Sequence, residues 1–195
     1  MGAGKTCAAI NYMNEHVNDK KFMFVTPYLD EAQRIADCCP YNKFEQPEVY
    51  GNKLNGLKFL LQHGRNVEIT HALFGHFDQE TREAMEHWGY TLVMDEVAQV
   101  IDSLKITTKD WKNIIQHHAH VENDCVVWDD LEYRGAYNKY MKLAVNKSMV
   151  YDSQESKLFW SLPVDTFKTF EDIYVLTYMF DAQMQKYYYD LHNLN

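Results

Sequence analysis

Apolar and polar positions along the chain follow two rhythms. Over residues 6–17 (TCAAINYMNEHV), Ala, Ile, Tyr and Met return at helical spacing, which predicts a helix ended by Asn18-Asp19. Residues 21–26 (KFMFVT) form a short, nearly continuous apolar run, the pattern of a strand buried on both faces, and Pro27 breaks the chain after it. Residues 29–39 (LDEAQRIADCC) predict an amphipathic helix with Asp30 and Glu31 in its first turn, where the helix dipole favours acids, and Pro40 as its stop. A polar loop over 42–52 leads to a helix over 54–63 that ends near Gly64. A strand over 66–70 (NVEIT), a helix over 79–87 closed by Gly89, and a strand over 90–94 (YTLVM) follow. The strand-like pattern returns at 173–177 (IYVLT), and 181–191 predicts a last helix carrying Tyr187, Tyr188 and Tyr189. Strands alternating with helices imply an α/β fold. Strands 21–26, 66–70, 90–94 and 172–177 should share one parallel sheet, with right-handed crossovers and helices on both faces.

The stretch 105–163 breaks that rhythm. Thr108 is placed to cap a helix running through His117. Val126-Val127-Trp128 is a strand candidate, and 133–145 reads as a helix with Tyr137, Tyr140 and Met141 facing inward. Residues 148–151 and 158–161 would pair as a hairpin across 153–156. The stretch reads as an α+β insertion on a single domain spanning 1–195, a length that supports one sizeable core.

Composition narrows the classes. Hydrophobic residues make up 46% and charged residues 24%, the balance of a globular protein. No apolar run approaches the ~18 residues of a membrane span, and no signal peptide is visible. Cys7, Cys38, Cys39 and Cys125 form no C-x-x-C pair and suggest a reducing compartment. His117, His118 and His120 match no metal spacing and read as a solvated helix end. The net charge of −9 argues against autonomous tight binding to nucleic acid, which would have to use a local groove or another part of the protein.

Two motifs carry candidate chemistry. Met1-Gly2-Ala3-Gly4-Lys5-Thr6 contains the back half of a phosphate-binding loop, G-x-x-x-x-G-K-[ST]. Gly4 lets backbone amides approach phosphate oxygens, Lys5 offers a cation to the β- and γ-phosphates, and Thr6 offers a hydroxyl to Mg²⁺. Gly2, Ala3, Gly4, Lys5, Thr6 and Cys7 are therefore the candidate nucleotide-binding residues. Met-Gly-x-x-x-Thr also fits an N-myristoylation signal, but Gly-Lys-Thr is better explained by phosphate. The second motif is the apolar strand that runs into Asp95-Glu96. Asp95 would hold Mg²⁺, and Glu96 would orient or deprotonate an attacking water. The plain alternative is a pair of solvated carboxylates at a strand end.

In this order, GAGKT, VTPYLDEAQRIA, EITHALF, LVMDEVAQVID and YVLTYMF resemble the motifs of DEAD-like superfamily-two helicases, with the nearest likeness to phage-type helicase ATPases. The resemblance covers residue 1 to about 104, and 162 to the end. It implies the first lobe of a P-loop NTPase of the RecA-like kind, with ATP and Mg²⁺ as cofactors. It also implies single- or double-stranded nucleic acid, DNA first, as partner, and the cytoplasm of a bacterial or phage-infected cell as location. Thr26, Pro27, Thr70 and His71 would lie near a nucleic-acid backbone, though strand-end capping explains them equally well. Thr177 would couple the two activities. The sequence departs from the family at Ala98, where an Asp or His is usual, and at Val175-Leu176-Thr177, where Ser-Ala-Thr often stands.

By the same resemblance, the strand delivering the phosphate loop and the second lobe with its arginine fingers would lie outside this chain. A gap or irregular packing between neighbouring strands, and weak turnover by the chain alone, are then expected. Two other classes stay open: a nucleotide-kinase-like phosphotransferase, although Arg34, Arg65, Arg82 and Arg134 are too scattered for a lid, and a non-catalytic nucleotide-binding fragment.

Overall fold

The structure, a computed structural model, describes residues 3–47 and 52–194. Met1, Gly2 and positions 48–51 of the polar loop read over 42–52 lie outside the described residues. In chain order come α1 (Ala3–Glu15), β1 (Lys21–Thr26), α2 (Leu29–Cys38), α3 (Lys53–Gln62), β2 (Val67–Thr70), α4 (His71–Phe74), α5 (Gln79–Glu86) and β3 (Tyr90–Asp95). They are followed by β4 (Ile101–Ser103), α6 (Thr108–His117), β5 (Ala119–Glu122), β6 (Cys125–Trp128), α7 (Asn138–Val145), β7 (Met149–Asp152) and β8 (Lys157–Ser161). The chain then continues through α8 (Val164–Lys168), β9 (Asp172–Leu176), a 3-10 turn (Phe180–Ala182) and α9 (Met184–Leu191). These elements form two compact units: residues up to Gln99 with those from Val164 on, and Val100–Pro163.

The first unit is α/β. Its four strands form one wholly parallel sheet in the order β2-β1-β3-β9. The expected gap between neighbouring strands is not there. β3 pairs directly with β1 from Tyr90 to Met94 and with β9 from Thr91 to Asp95, and β9 forms the sheet's edge. β9, an apolar run in sequence, is only half-buried there, whereas β2 at the other edge is buried over its first three residues. In β1, by contrast, residues of both parities are buried. Phe22 and Phe24 pack with Ala9, Met13, Ile35, Cys39 and Val93, while the alternate residues Met23 and Val25 are buried as well, so both sheet faces are covered. Each such side chain contributes about 1.5–3 kcal/mol. Buried Asn66 fixes where the strands start. Its Oδ1 accepts from the Phe22 amide at 2.8 Å and its Nδ2 donates to the Asn42 carbonyl at 2.6 Å, while Asn42 Nδ2 donates to the Met13 carbonyl at 3.0 Å.

The second unit is a five-stranded antiparallel sheet, β4-β8-β7-β6-β5, with α6 and α7 against it. Its core is Ile114, Ala119, Val126, Trp128, Met141, Ala144, Met149 and Leu158. The β7–β8 hairpin falls where the pattern predicts it. The cap of α6 does not. Thr107, not Thr108, accepts from the Asp110 amide at 3.1 Å and donates to Asp110 Oδ2 at 2.6 Å, closing the first turn from both sides. The helix read over 133–145 begins only at Asn138, because Tyr133 Oη accepts from the Tyr137 amide at 3.3 Å and holds the preceding turns. His118 stacks on Trp128 with ring centroids 5.9 Å apart, and His120 bonds Asp129 at 2.7 Å, so the histidine set is engaged within the unit. Among the described residues, no helix is long and apolar enough to cross a membrane.

Gly64 closes α3 in the left-handed region at φ 61°, where its amide reaches the Leu61 carbonyl at 3.0 Å and the Arg65 amide reaches Leu60 at 3.1 Å. A Cβ there would meet the Trp88 ring at 2.7 Å. Gly64→Ala is expected to lower stability by ~1–2 kcal/mol from backbone strain alone. Urea unfolding with an unchanged midpoint would refute it.

Candidate functional site

A parallel sheet sends the C-terminal end of every strand to one edge, where ligands of such folds bind. Here that edge gathers Thr26, Thr70, Asp95 and the residues just past Leu176. Thr26 lies opposite Thr70, and Asp95 opposite Leu176.

The ends of β1 and β2 are mainly self-capping. Thr26 is fully buried and its hydroxyl accepts from the Tyr28 amide at 3.5 Å, which leaves Pro27 and Tyr28 as the exposed groups. Thr70 caps α4 by accepting from the Leu73 amide at 3.3 Å. His71 turns inward rather than outward. Its Nε2 lies 2.8 Å from the Asp95 carbonyl oxygen. A carbonyl can only accept, so the proton sits on Nε2, and Nδ1 is buried without a partner. Burial pushes the imidazole below its ordinary pKa, against the opposing pull of the Asp95 bond and of the Asp95 and Glu96 charges. His71 thus ties the end of β2 to the end of β3.

At the end of β3 the two carboxylates differ. Asp95 is half-buried, and burial first, then the charges of Glu31 and Glu96, push its carboxyl up against the pull of His71 and Arg34. Glu96 is exposed and holds a left-handed backbone at φ 63°, a conformation costing about 1–3 kcal/mol for a residue with a side chain. Two bonds hold it there: its amide reaches the Leu176 carbonyl at 3.5 Å, and its Oε2 accepts from Thr177 Oγ1 at 2.8 Å. Two residues on, the Ala98 amide donates to Oε1 of fully buried Gln185 at 2.7 Å, and Gln185 Nε2 donates to Tyr189 Oη at 3.0 Å. Helix α9 therefore anchors the segment after the acidic pair.

Helix α1 brings the cation. It starts at Ala3, three residues before the periodicity suggests, so Gly4, Lys5 and Thr6 form its first turn. No acid sits in that turn to neutralise the free amides. Among the described residues, a Cβ on Gly4 would meet no atom within 4 Å outside its own helix backbone and chain neighbours, so packing there does not explain the glycine. Lys5 Nζ stands 5.8 Å from the Tyr178 ring centre. Thr6 is half-buried and Cys7 exposed, while Gly2 lies outside the described residues. Because Tyr178 follows Thr177, and Thr177 binds Glu96, the lysine and the acidic pair share this edge.

Several participants were missed by sequence reasoning. Arg34 grips both oxygens of Glu31, with Nε–Oε2 at 2.9 Å, and this pair stands close enough to bias Asp95. Its i,i+3 spacing on the helix that leaves the end of β1 was a legible signal. Gln185 was legible too, as a polar residue in the inward stripe of α9 shared with Tyr188 and Tyr189. Chemically, the edge offers a lysine, a helix N-terminus, a hydroxyl and two carboxylates. Hard oxygen donors are the kind Mg²⁺ takes, though among the described residues no three His, Cys, Asp or Glu side chains are grouped to hold a metal ion. A divalent cation would relieve the repulsion that raises the Asp95 carboxyl.

No family model and no solved structure matches this chain. It is 36% identical over 208 aligned residues to the SPbeta prophage-derived uncharacterized protein YonV of Bacillus subtilis strain 168. The alignment takes in the whole chain and 50% of that protein, so the chain spans about half the length of the curated relative it matches.

Two pH effects are expected. A raised Asp95 pKa means the folded state binds more protons above the unfolded value of about 3.9, so stability falls as pH rises through that window. Asp95→Asn should therefore raise Tm at pH 7, with a gain that shrinks toward pH 4; a lower Tm at pH 7 would refute it. A lowered His71 pKa acts the other way: stability is lost as pH falls below the unfolded value of about 6.5. His71→Gln keeps an N–H donor and cannot ionise, so its Tm should fall less than that of the wild type between pH 6.5 and 5.

Proposed function

We propose that this chain is the ATP-binding lobe of a helicase or translocase, using Mg²⁺-ATP hydrolysis to work on nucleic acid, DNA in the first place. The observation that carries this reading is the chain of contacts at the sheet edge, from Lys5 over Tyr178 to Thr177 and on to Glu96. Lys5 and the free amides of α1 hold the β- and γ-phosphates. Asp95 and Thr6 would hold Mg²⁺, which would supply neutralisation of charge on the phosphate oxygens. Glu96 orients the attacking water and takes its proton, and Thr177 fixes the carboxylate in position to do so. His71 and Gln185 keep the strand end from drifting, which matters because loosely held groups stabilise a transition state poorly. The exposed Pro27 and Tyr28 offer a nucleic-acid contact on the same edge. A second RecA-like lobe supplying an arginine finger belongs to the proposal, as does a phage setting, which the relative's prophage origin favours.

Fluorescent-nucleotide titration and phosphate release with and without single-stranded DNA test it. Lys5→Ala should abolish Mg²⁺-dependent binding. Glu96→Gln should retain binding and lose about 10²-fold or more in any turnover the wild type shows. Equal affinity in the wild type and Lys5→Ala would refute the reading of α1, and equal turnover in the wild type and Glu96→Gln would remove Glu96 from the mechanism.

A further inference from the structure

The unit Val100–Pro163 carries a surface that the nucleotide chemistry does not use. On α6, Lys109 and Lys112 lie one turn apart; on α7, Lys139 and Lys142 do the same, and all four are exposed. The two helices contain one acid, Asp110, whose carboxylate already accepts from Thr107 and Tyr137. None of the four lysines makes an ion pair among the described residues. Each pair sets like charges on one helix face, where they repel. In a chain of net charge −9, this is a concentrated basic layer. The unit's other acids lie in its strands, turns and loops, at Asp102, Glu122, Asp124, Asp129, Asp130, Glu132, Asp152 and Glu155.

The layer is held firmly and contains aromatic rings. Tyr137 Oη accepts from Asn113 at 3.1 Å and donates to Asp110 at 3.1 Å, which locks the start of α7 to α6. Tyr140 Oη donates to the Lys105 carbonyl at 3.3 Å, and Lys139 Nζ stands 5.9 Å from the Tyr140 ring centre. Trp111 and Tyr140 are both half-buried and pack against the unit's core, Trp111 with its ring centre 5.1 Å from that of Tyr151. Several cations on neighbouring helices answer a phosphodiester backbone, and the half-buried Tyr140 beside them puts an aromatic ring within reach of unpaired bases. An acidic peptide would use only the cations.

We propose that the outer face of α6 and α7 is a binding surface for single-stranded nucleic acid. The contact is electrostatic, independent of sequence, and made without nucleotide. It goes beyond the reading of Lys5 and Asp95, and its test is separate, because no nucleotide is present.

The test is fluorescence anisotropy of the full chain with a labelled oligothymidylate of about 20 nucleotides, between 50 and 200 mM salt. Four phosphate contacts contribute about −2.8 to the log–log salt slope, so binding should weaken about 50-fold over that range. Replacing Lys109, Lys112, Lys139 and Lys142 together by Ala should remove that slope and at least tenfold of the affinity at 50 mM. Alanine at these exposed helix positions favours the helix, and circular dichroism checks that the fold is kept. Alanine at the exposed Lys43 and Lys53 should change nothing. The proposal is overturned if the wild type does not bind, or if the fourfold variant keeps the wild-type affinity and slope. It also falls if polyglutamate binds as tightly as the oligonucleotide, which would point to an acidic protein partner, or if a duplex of equal length binds as tightly or more so.

Discussion

Strand β3 is hydrogen-bonded on both sides, to β1 and to β9, and the candidate site depends on that double registration. A strand with one neighbour can slip or fray. One with two must break both ladders to move, and a one-residue slip would turn Leu92 and Met94, both fully buried, to the opposite face. Its last residue is therefore fixed in direction as well as in place. The pairing of Asp95 with Leu176 also brings Thr177 level with Glu96, where its hydroxyl can reach the carboxylate. The edge strand supplies the group that fixes the carboxylate, and the central strand supplies the carboxylate.

Order at this edge is maintained against several unfavourable terms. Glu96 holds a left-handed backbone, Asp95 is a half-buried acid beside two other acids, and His71 buries a ring nitrogen without a partner. Each would relax if the chain around it were loose. The fully buried Gln185 and the aromatic packing of Phe167 on Tyr189, with rings 5.0 Å apart, hold α9 against the segment after Glu96. Strained and half-buried groups gathered at one strand end, with neighbours enforcing them, are a feature that functional sites share.

The strands were legible because burial on both faces leaves an unmistakable trace. Phe22-Met23-Phe24-Val25 and Leu92-Val93-Met94 contain no polar residue, and each sits inside the sheet. β4 and β5 left no trace for the opposite reason: Ile101-Asp102-Ser103 is wholly exposed, and Ala119–Glu122 is an edge strand with three exposed residues. Helix α4 is a single turn, too short for periodicity to register. At the site, Asp95 and Glu96 could be read because an apolar run ends in carboxylates. The inward turn of His71 could not, because Thr-His after a strand looks the same in sequence whether the ring faces a ligand or a backbone carbonyl. That choice is made by the distance between β2 and β3 across β1, which local sequence does not encode.

Charge is unevenly divided between the two units. Val100–Pro163 holds eight basic and nine acidic residues, so nearly all of the net charge of −9 falls on the unit with the parallel sheet. An anion approaching that unit meets a repulsive background, and only a local arrangement can overcome it. A helix N-terminus with a lysine is local, and a divalent cation on Asp95 would invert the sign where it matters most. A nucleic-acid strand is different, since it presents many phosphates over tens of ångströms and averages over the surface it follows. Such a polymer is better received on a nearly neutral unit with four lysines on two neighbouring helices, where Asp110 is the one acid and is already bonded to Thr107 and Tyr137. The same composition that counts against nucleic-acid binding by the whole chain thus leaves room for it on one face of one unit.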